Sequence, residues 1–406
     1  MQDLFEKQLK ALRAASLDRH LSEISSSQGP EITVVGRDRR ARRLINFSSN
    51  DYLGLANDSR LRKAATEAIN EFGVGAGASR LISGTQSPHL HLERALAEWK
   101  GTEAALCFSS GYAAALGTIP ALVSKSDVVL LDKLCHASLI DAAKLSGAIL
   151  RVFPHNNLRK LESHLEWARR EHAGRRLLIV TESVFSMDGD RAPLRELIEL
   201  KKRFDTLLML DEAHAVGVIG LHGRGLAAEE NLSDVDVQMG TLSKALGTSG
   251  GYICGSHDLI EWLINRARSF IYSTAPPPAI AAAALAAVDF LSSPHGEERR
   301  LLLWERINLM RQLLLPSARK AINYQLSTIN TNEGSAIFPL LVGDEQAALN
   351  SAAALKTEGF LVPAIRYPTV AKGSARLRIT VTAAHEENQI RSLCEAIKRL
   401  SEMHDL

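Results

Sequence analysis

Between residues 103 and 255 seven short apolar, β-rich runs recur: EAALCFSS, DVVLLD, AILRVF, LLIVTES, TLLMLD, VQMGTL and GGYICG. Helical patterns separate them, at 120–125, 137–146, 159–172 and 193–204. That alternation limits the fold more than any other feature. Continuous apolar runs suit strands buried on both faces, and parallel neighbours need a crossover long enough for a helix. The expectation is an α/β chain with a mostly parallel central sheet covered by helices. Ahead of it, residues 2–22 set Phe5, Leu9, Leu12, Leu17 and Leu21 among charges at near-helical spacing, which predicts an amphipathic arm. A short β region (EITVVG, RLINFS) follows the arm. Pro276-Pro277-Pro278 opens an Ala-rich helix, and a long charged helix follows it. Short strands (AIFPLLV, FLVPAI, ARLRITVT) then alternate with helices at 345–357 and 387–401. The expected domains are an arm with the β region at 1–48, a large domain at 49–292 and a smaller α/β domain at 293–406.

Charge and composition narrow the function by exclusion. With 48 Lys+Arg against 46 Asp+Glu the net charge is +2, which argues against a nucleic-acid partner. The apolar fraction of 46% and charged fraction of 23% are those of a globular chain. The longest apolar run, 279–288, is about half the roughly 20 residues that span a bilayer, so no membrane partner is expected. Cys107, Cys135, Cys254 and Cys394 are scattered, which argues against a disulfide framework and a Cys-rich metal site. The N-terminal segment lacks the pattern of a signal peptide, and a cytoplasmic protein is expected.

Two stretches carry chemistry. In Leu207-Leu208-Met209-Leu210-Asp211-Glu212-Ala213-His214 an apolar strand ends in an acid, with a histidine three residues on. Open α/β sheets bind ligands at the carboxyl ends of such strands. In Thr241-Leu242-Ser243-Lys244-Ala245-Leu246-Gly247 one lysine sits in a small-residue loop just past another strand. Burial favours the neutral amine of such a lysine, which then attacks an aldehyde to form a Schiff base. A carboxylate near a pyridine nitrogen keeps that nitrogen protonated. The two together suit pyridoxal 5'-phosphate.

The chain resembles the α-oxoamine synthases, a family within the fold-type I, aspartate-aminotransferase-like pyridoxal phosphate enzymes. The matching stretches are NFSSNDYLGL (46–55), GVGAGASRLISGT (73–85), CFSSGYAAALG (107–117) and LCHASLIDAAKLSGA (134–148). They continue with TESVFSMDGDRAPL (181–194), LDEAHAVGVIGLHGRG (210–225), GTLSKALGTSGGYICG (240–255), FIYSTAPPP (270–278) and ARLRITVTAAH (375–385). Among the members, FSSNDYLGL and the tail AIRYPTVAKGSARLRITVTAAH lean toward the biotin pathway. The lysine loop TLSKALG, Tyr367 and Ala371 depart from common family residues.

The resemblance implies an enzyme, a decarboxylating C-acyltransferase. It would condense an amino acid, L-alanine in the leading reading, with a pimeloyl thioester delivered by CoA or an acyl-carrier protein. Lys244 matches the Schiff-base lysine, and Asp211 the acid on the pyridine nitrogen. His214 and Ser186 match residues at the ring's phenolic oxygen, with Ser183 a further contact. His136 matches the histidine that stacks on the ring and helps position substrate. Ser110, Gly111 and Tyr112 match the phosphate-side turn, at a helix start where an anion is favoured. Thr241 matches a phosphate-contacting hydroxyl, and Thr274 one reaching the phosphate from the partner subunit. Arg378 matches the arginine on the amino-acid carboxylate, and Asn50 its helper. Arg19 and Thr369 match positions near the acyl substrate. The family also implies a homodimer with a shared site lying between domains.

Several residues read more simply. Gly73, Gly75, Gly77 and Gly84 lack the surroundings of a nucleotide loop. His89 and Glu93 share a helix face from which His91 turns away, which suits capping or core roles rather than a metal triad. His222 reads as structural, Ser243 lacks a nucleophile elbow, and Cys107 and Cys135 read as small buried hydrophobes.

Overall fold

The computed structural model describes residues 2–36, 38–318, 325–326 and 334–404. They form two compact units. The larger comprises Leu55–Ser186 and Asp190–Leu301; the smaller takes the chain up to Gly54, Met187–Gly189, and the chain from Leu302 onward.

The larger unit is built on seven strands: β1 (Ala104–Phe108), β2 (Val128–Asp132), β3 (Ile149–Phe153), β4 (Leu177–Glu182), β5 (Leu207–Asp211), β6 (Val237–Thr241) and β7 (Gly251–Gly255). Their order across the sheet is β1-β7-β6-β5-β4-β2-β3. Strands β3, β2, β4, β5 and β6 run parallel, whereas β7 is antiparallel to both neighbours. The direction of β7 has a simple cause: the 242–250 connection is shorter than the roughly dozen residues that a parallel crossover takes. Every residue of β2, β4, β6 and β7 is buried, which accounts for the unbroken apolar runs.

The predicted helices at 137–146, 159–172 and 193–204 form at Ala137–Ser146, Leu158–Glu171 and Leu194–Arg203. The expectation of a helix at 120–125 is corrected. The helix is Gly111–Leu122, started by Ser110, whose hydroxyl accepts the Ala113 N–H at 3.0 Å. Pro120 lies inside it near the end, where the lost N–H removes a single bond.

In the smaller unit the N-terminal and C-terminal segments share a sheet. Glu23–Ile24, Glu31–Val35 and Ala41–Asn46 pair in sequence, and Phe360–Leu361 joins the last of these in parallel. A second sheet orders Gln325–Leu326, Ile337–Gly343, Ala375–Thr380 and Ala364–Ile365. The arm helix is shorter than expected. It covers Gln2–Ala14, because Ser16 adopts a left-handed conformation (φ 55°) that ends the helix.

In the larger unit, loops after β2 and β3 are fastened to the 183–191 segment by His155. Its Nδ1 lies 3.1 Å from Asp132 Oδ1 and its Nε2 lies 2.7 Å from Asp190 Oδ2. The ring stands edge-on to Phe185 at 4.3 Å. Burial disfavours the imidazolium, but the two carboxylates outweigh it and push the pKa up to about 10. The folded value lies above the ordinary value of about 6.5. The clamp's contribution is therefore full below about pH 6.5 and fades as the pH rises toward 10. His155→Gln is expected to lower unfolding stability at pH 6 by about 1–3 kcal/mol. The deficit should narrow as the pH approaches 10 when thermal unfolding is followed across pH. A deficit that widens with pH would contradict the clamp.

Candidate active site

The carboxyl ends of β4, β5 and β6 converge on one group of side chains. Asp211 ends β5, is buried, and accepts the N–H of Ala213 at 2.9 Å. Burial raises its proton affinity, and the nearby charge of Lys244 opposes that rise. Lys244, half-buried in the loop after β6, sets its Nζ 2.9 Å from Nε2 of buried His214. The loop closes on Gly247, whose left-handed backbone (φ 67°) lies against Leu55 and Ala56; a Cβ there would come within 2.5 Å of the Leu55 carbonyl carbon. Thr241 ties the loop's base, meeting Gly250 O at 2.9 Å and Ser243 Oγ at 2.8 Å.

The acid beside Asp211 has a different duty. Glu212 is fully buried and ion-paired to buried Lys100, which also donates to Arg224 O. Its other oxygen accepts the Ala227 N–H at 3.1 Å. Glu212 thus anchors the following loop while Asp211 faces the lysine.

Three further elements complete this half. At the start of helix Gly111–Leu122 the opening backbone N–H groups have no intrahelical acceptor; Ser110 caps that of Ala113, and Gly111 and Tyr112 begin the helix at an end where an anion is favoured. Strand β7 packs under this turn so closely that a Cβ on Gly251 would lie 2.5 Å from Gly111 N. The Tyr112 hydroxyl donates to Asp141. His136 caps helix Ala137–Ser146 through its ring: Nδ1 accepts the Ser138 N–H at 3.2 Å. Ser183 is fully buried and donates to Asp211 O at 3.1 Å, a brace under the acid; Ser186, also buried, lies at the next turn. Thr274 is exposed and bridges to Ser79.

The smaller unit brings together a second set. Arg378 is buried; it donates to Thr380 Oγ1 at 3.0 Å and to Asn50 Oδ1 at 3.2 Å. Tyr52 also meets this guanidinium, and burial drives its phenol up to about 12 against the pull of Arg378. Sequence reasoning missed Tyr52; its apolar surroundings in NDYLGL suggest only a core residue. Arg19 Nη2 approaches Thr369 Oγ1 at 3.4 Å, and both line a cavity of about 630 Å³ with Arg366 and His20.

The residues read as structural sit accordingly. His89 Nε2 meets Pro276 O at 2.8 Å and its Nδ1 accepts the Gln86 N–H. Glu93 pairs with Arg80 at 2.8 Å and accepts the Cys107 N–H at 2.9 Å. Neither is arranged as a metal ligand.

The chain matches the family of class I and II aminotransferases over residues 42–397. It is 45% identical to the 8-amino-7-oxononanoate synthase of Geobacter sulfurreducens, covering 97% of this chain and 96% of that one. With the enzyme of that name from Methylorubrum populi the identity is 44%, over 97% and 94%. The chain belongs to the α-oxoamine synthases. Solved structures agree with that membership. Serine palmitoyltransferase of Sphingomonas wittichii superposes with a TM-score of 0.88 at 31% identity, over 99% and 98% of the two chains. The 8-amino-7-oxononanoate synthase of Francisella tularensis gives 0.75 at 28%, over 89% and 99%. The chain is therefore a fold-type I, acyl-transferring enzyme whose cofactor is pyridoxal phosphate.

The larger unit of this synthase fits that cofactor by the chemistry of its donors. A buried acid with raised proton affinity suits a cationic ring N–H, an amine stands nearby, and a helix start suits a phosphate. Lys244→Ala is expected to lose the visible absorption of covalently held cofactor, together with turnover. Asp211→Asn should retain the folded protein but lower kcat by about 10²–10⁴-fold. Absorption spectra and steady-state rates check both, and an unchanged band in Lys244→Ala would refute the assignment.

Proposed function

We propose that the chain condenses L-alanine with a pimeloyl thioester to give 8-amino-7-oxononanoate, carbon dioxide and free thiol, a step of biotin biosynthesis. One observation carries this reading: 44–45% identity along nearly the whole chain with the enzymes of that name from Geobacter sulfurreducens and Methylorubrum populi.

Pyridoxal phosphate, when bound, supplies an electron sink for the pair released at the amino-acid Cα. Lys244 would hold the cofactor, and its amine would take and return the Cα proton. His214, 2.9 Å from that amine, would orient it and, with Ser186, meet the phenolic oxygen. Asp211 would accept the ring N–H. Ser110, Gly111, Tyr112 and Thr241 would hold the phosphate, with Thr274 of the partner subunit. His136 would stack on the ring. Arg378 and Asn50 hold the substrate carboxylate, which suits a guanidinium fork. Arg19 and Thr369 receive the acyl substrate, a role that their shared cavity supports.

A homodimer follows from the role of Thr274. Exposed Val74 (78%), Ile82 (81%) and Tyr272 (70%) support it, since they lie on the segments that the Ser79–Thr274 bridge joins and suit a covered apolar surface. The four buried free thiols support a reducing, cytoplasmic compartment.

Purified enzyme is expected to release carbon dioxide from L-alanine with pimeloyl-CoA or pimeloyl-carrier protein. Glycine and serine should each be at least about tenfold poorer in kcat/KM. Arg19→Ala should raise the KM for the pimeloyl thioester about tenfold and leave that for alanine unchanged. Preference for serine or glycine in a panel of acyl thioesters would move the chain to another α-oxoamine synthase activity.

A further inference from the structure

The last residue of β4, Glu182, has no part in the reading above, yet it touches two of its elements. It is 2% exposed and stands in register with Asp211 on the adjacent strand. Its Oε1 accepts the backbone N–H of His136, and the carboxylate also accepts the backbone N–H of Ser186. His136 opens helix Ala137–Ser146, and its ring is fixed at the far end by Ser138, Nδ1 lying 2.8 Å from Oγ. The imidazole is therefore held from two sides: by Ser138 at the ring and by Glu182 at the peptide. The Ser186 turn is closed independently, by Phe185 N–H to Asp190 O at 3.0 Å and by the Val184–Arg191 bridge. Glu182 joins that turn to the His136 turn.

We infer that Glu182 is a positioning residue that acts through His136 and Ser186, setting the stacking imidazole and the serine hydroxyl at the cofactor ring by accepting both backbone N–H groups. The inference rests on the proposed roles of His136 and Ser186. An ionised carboxylate suits the task because both of its oxygens only accept. Glutamine has the same shape but replaces one accepting oxygen with an NH₂ donor and gives up the charge. Aspartate keeps the charge but is one methylene too short to reach both. Burial pushes the Glu182 pKa up and the Asp211 charge beside it adds to that, while Lys244 and the two backbone N–H groups pull it back toward the ionised form.

The test is a double-mutant cycle on the holoenzyme, with kcat and the visible absorption maximum of the bound cofactor as readouts. Glu182→Gln is expected to lower kcat by about tenfold to a hundredfold and to shift the absorption maximum while cofactor content is retained. In a His136→Ala background the same change should cost less than in the wild type, because only the route through Ser186 is left to lose. Wild-type kcat and spectrum in Glu182→Gln would overturn the inference, as would losses that multiply in the double variant. If His136→Ala alone leaves the rate unchanged, the stacking role of His136 fails, and the route assigned to Glu182 falls with it. Glu182→Asp covers the case in which the glutamine variant does not fold. It should show the same spectral shift with a smaller loss of rate, and wild-type behaviour would again overturn the inference.

Discussion

The site depends on two acids ending adjacent parallel strands. Glu182 and Asp211 stand side by side in register, both buried. Two carboxylates so placed repel, and burial raises the cost of charging either. The surrounding structure offsets this in different ways. Glu182 takes backbone N–H groups from His136 and Ser186; Asp211 takes one from Ala213 and feels the charge of Lys244. A cationic ring N–H beside Asp211 would complete the balance, which suits a protonated heterocycle. Acids held by backbone N–H groups in this way are preorganised to stabilise such a charge.

The remaining geometry follows from the sheet. Because all the parallel strands point their carboxyl ends the same way, the loops after β4, β5 and β6 gather at one edge. The turn at β7 adds the helix start that follows β1. That approach is possible only because position 251 has no side chain: a Cβ would collide with the backbone of Ser110 and Gly111. A glycine in the middle of the fold thus bears directly on where an anion can sit.

Much of this was legible in the sequence because it is local. Asp211 and Lys244 announce themselves as polar residues at the ends of apolar runs, and the strands were found by runs that burial on both faces explains. Residues whose meaning lies in a distant partner stayed hidden. Glu182 looks like a strand-end acid until its bond to His136, 46 residues away, is seen. His155 meets Asp132 and Asp190 across 23 and 35 residues. The pairing of Phe360–Leu361 with Ala41–Asn46 gave the N-terminal segment a home that no periodicity predicts. Helix limits failed where backbone, not side-chain pattern, decides: Ser16 ends the arm helix, and Ser110 starts a helix that Pro120 had seemed to open.

Strand Ala375–Thr380 shows why residue type alone does not assign a role. Arg376 and Arg378 are two residues apart, so they point to the same face, and both are buried. Arg376 meets Asp188 Oδ1 at 2.6 Å and the Met187 carbonyl at 3.2 Å, so its charge is spent on the Met187–Gly189 segment. Arg378 meets the oxygens of Thr380 and Asn50 and the phenol of Tyr52, which are neutral. Arg376 is thus committed to that segment, whereas Arg378 is held among hydroxyl, amide and phenol oxygens, and the difference comes from the partners rather than from the strand.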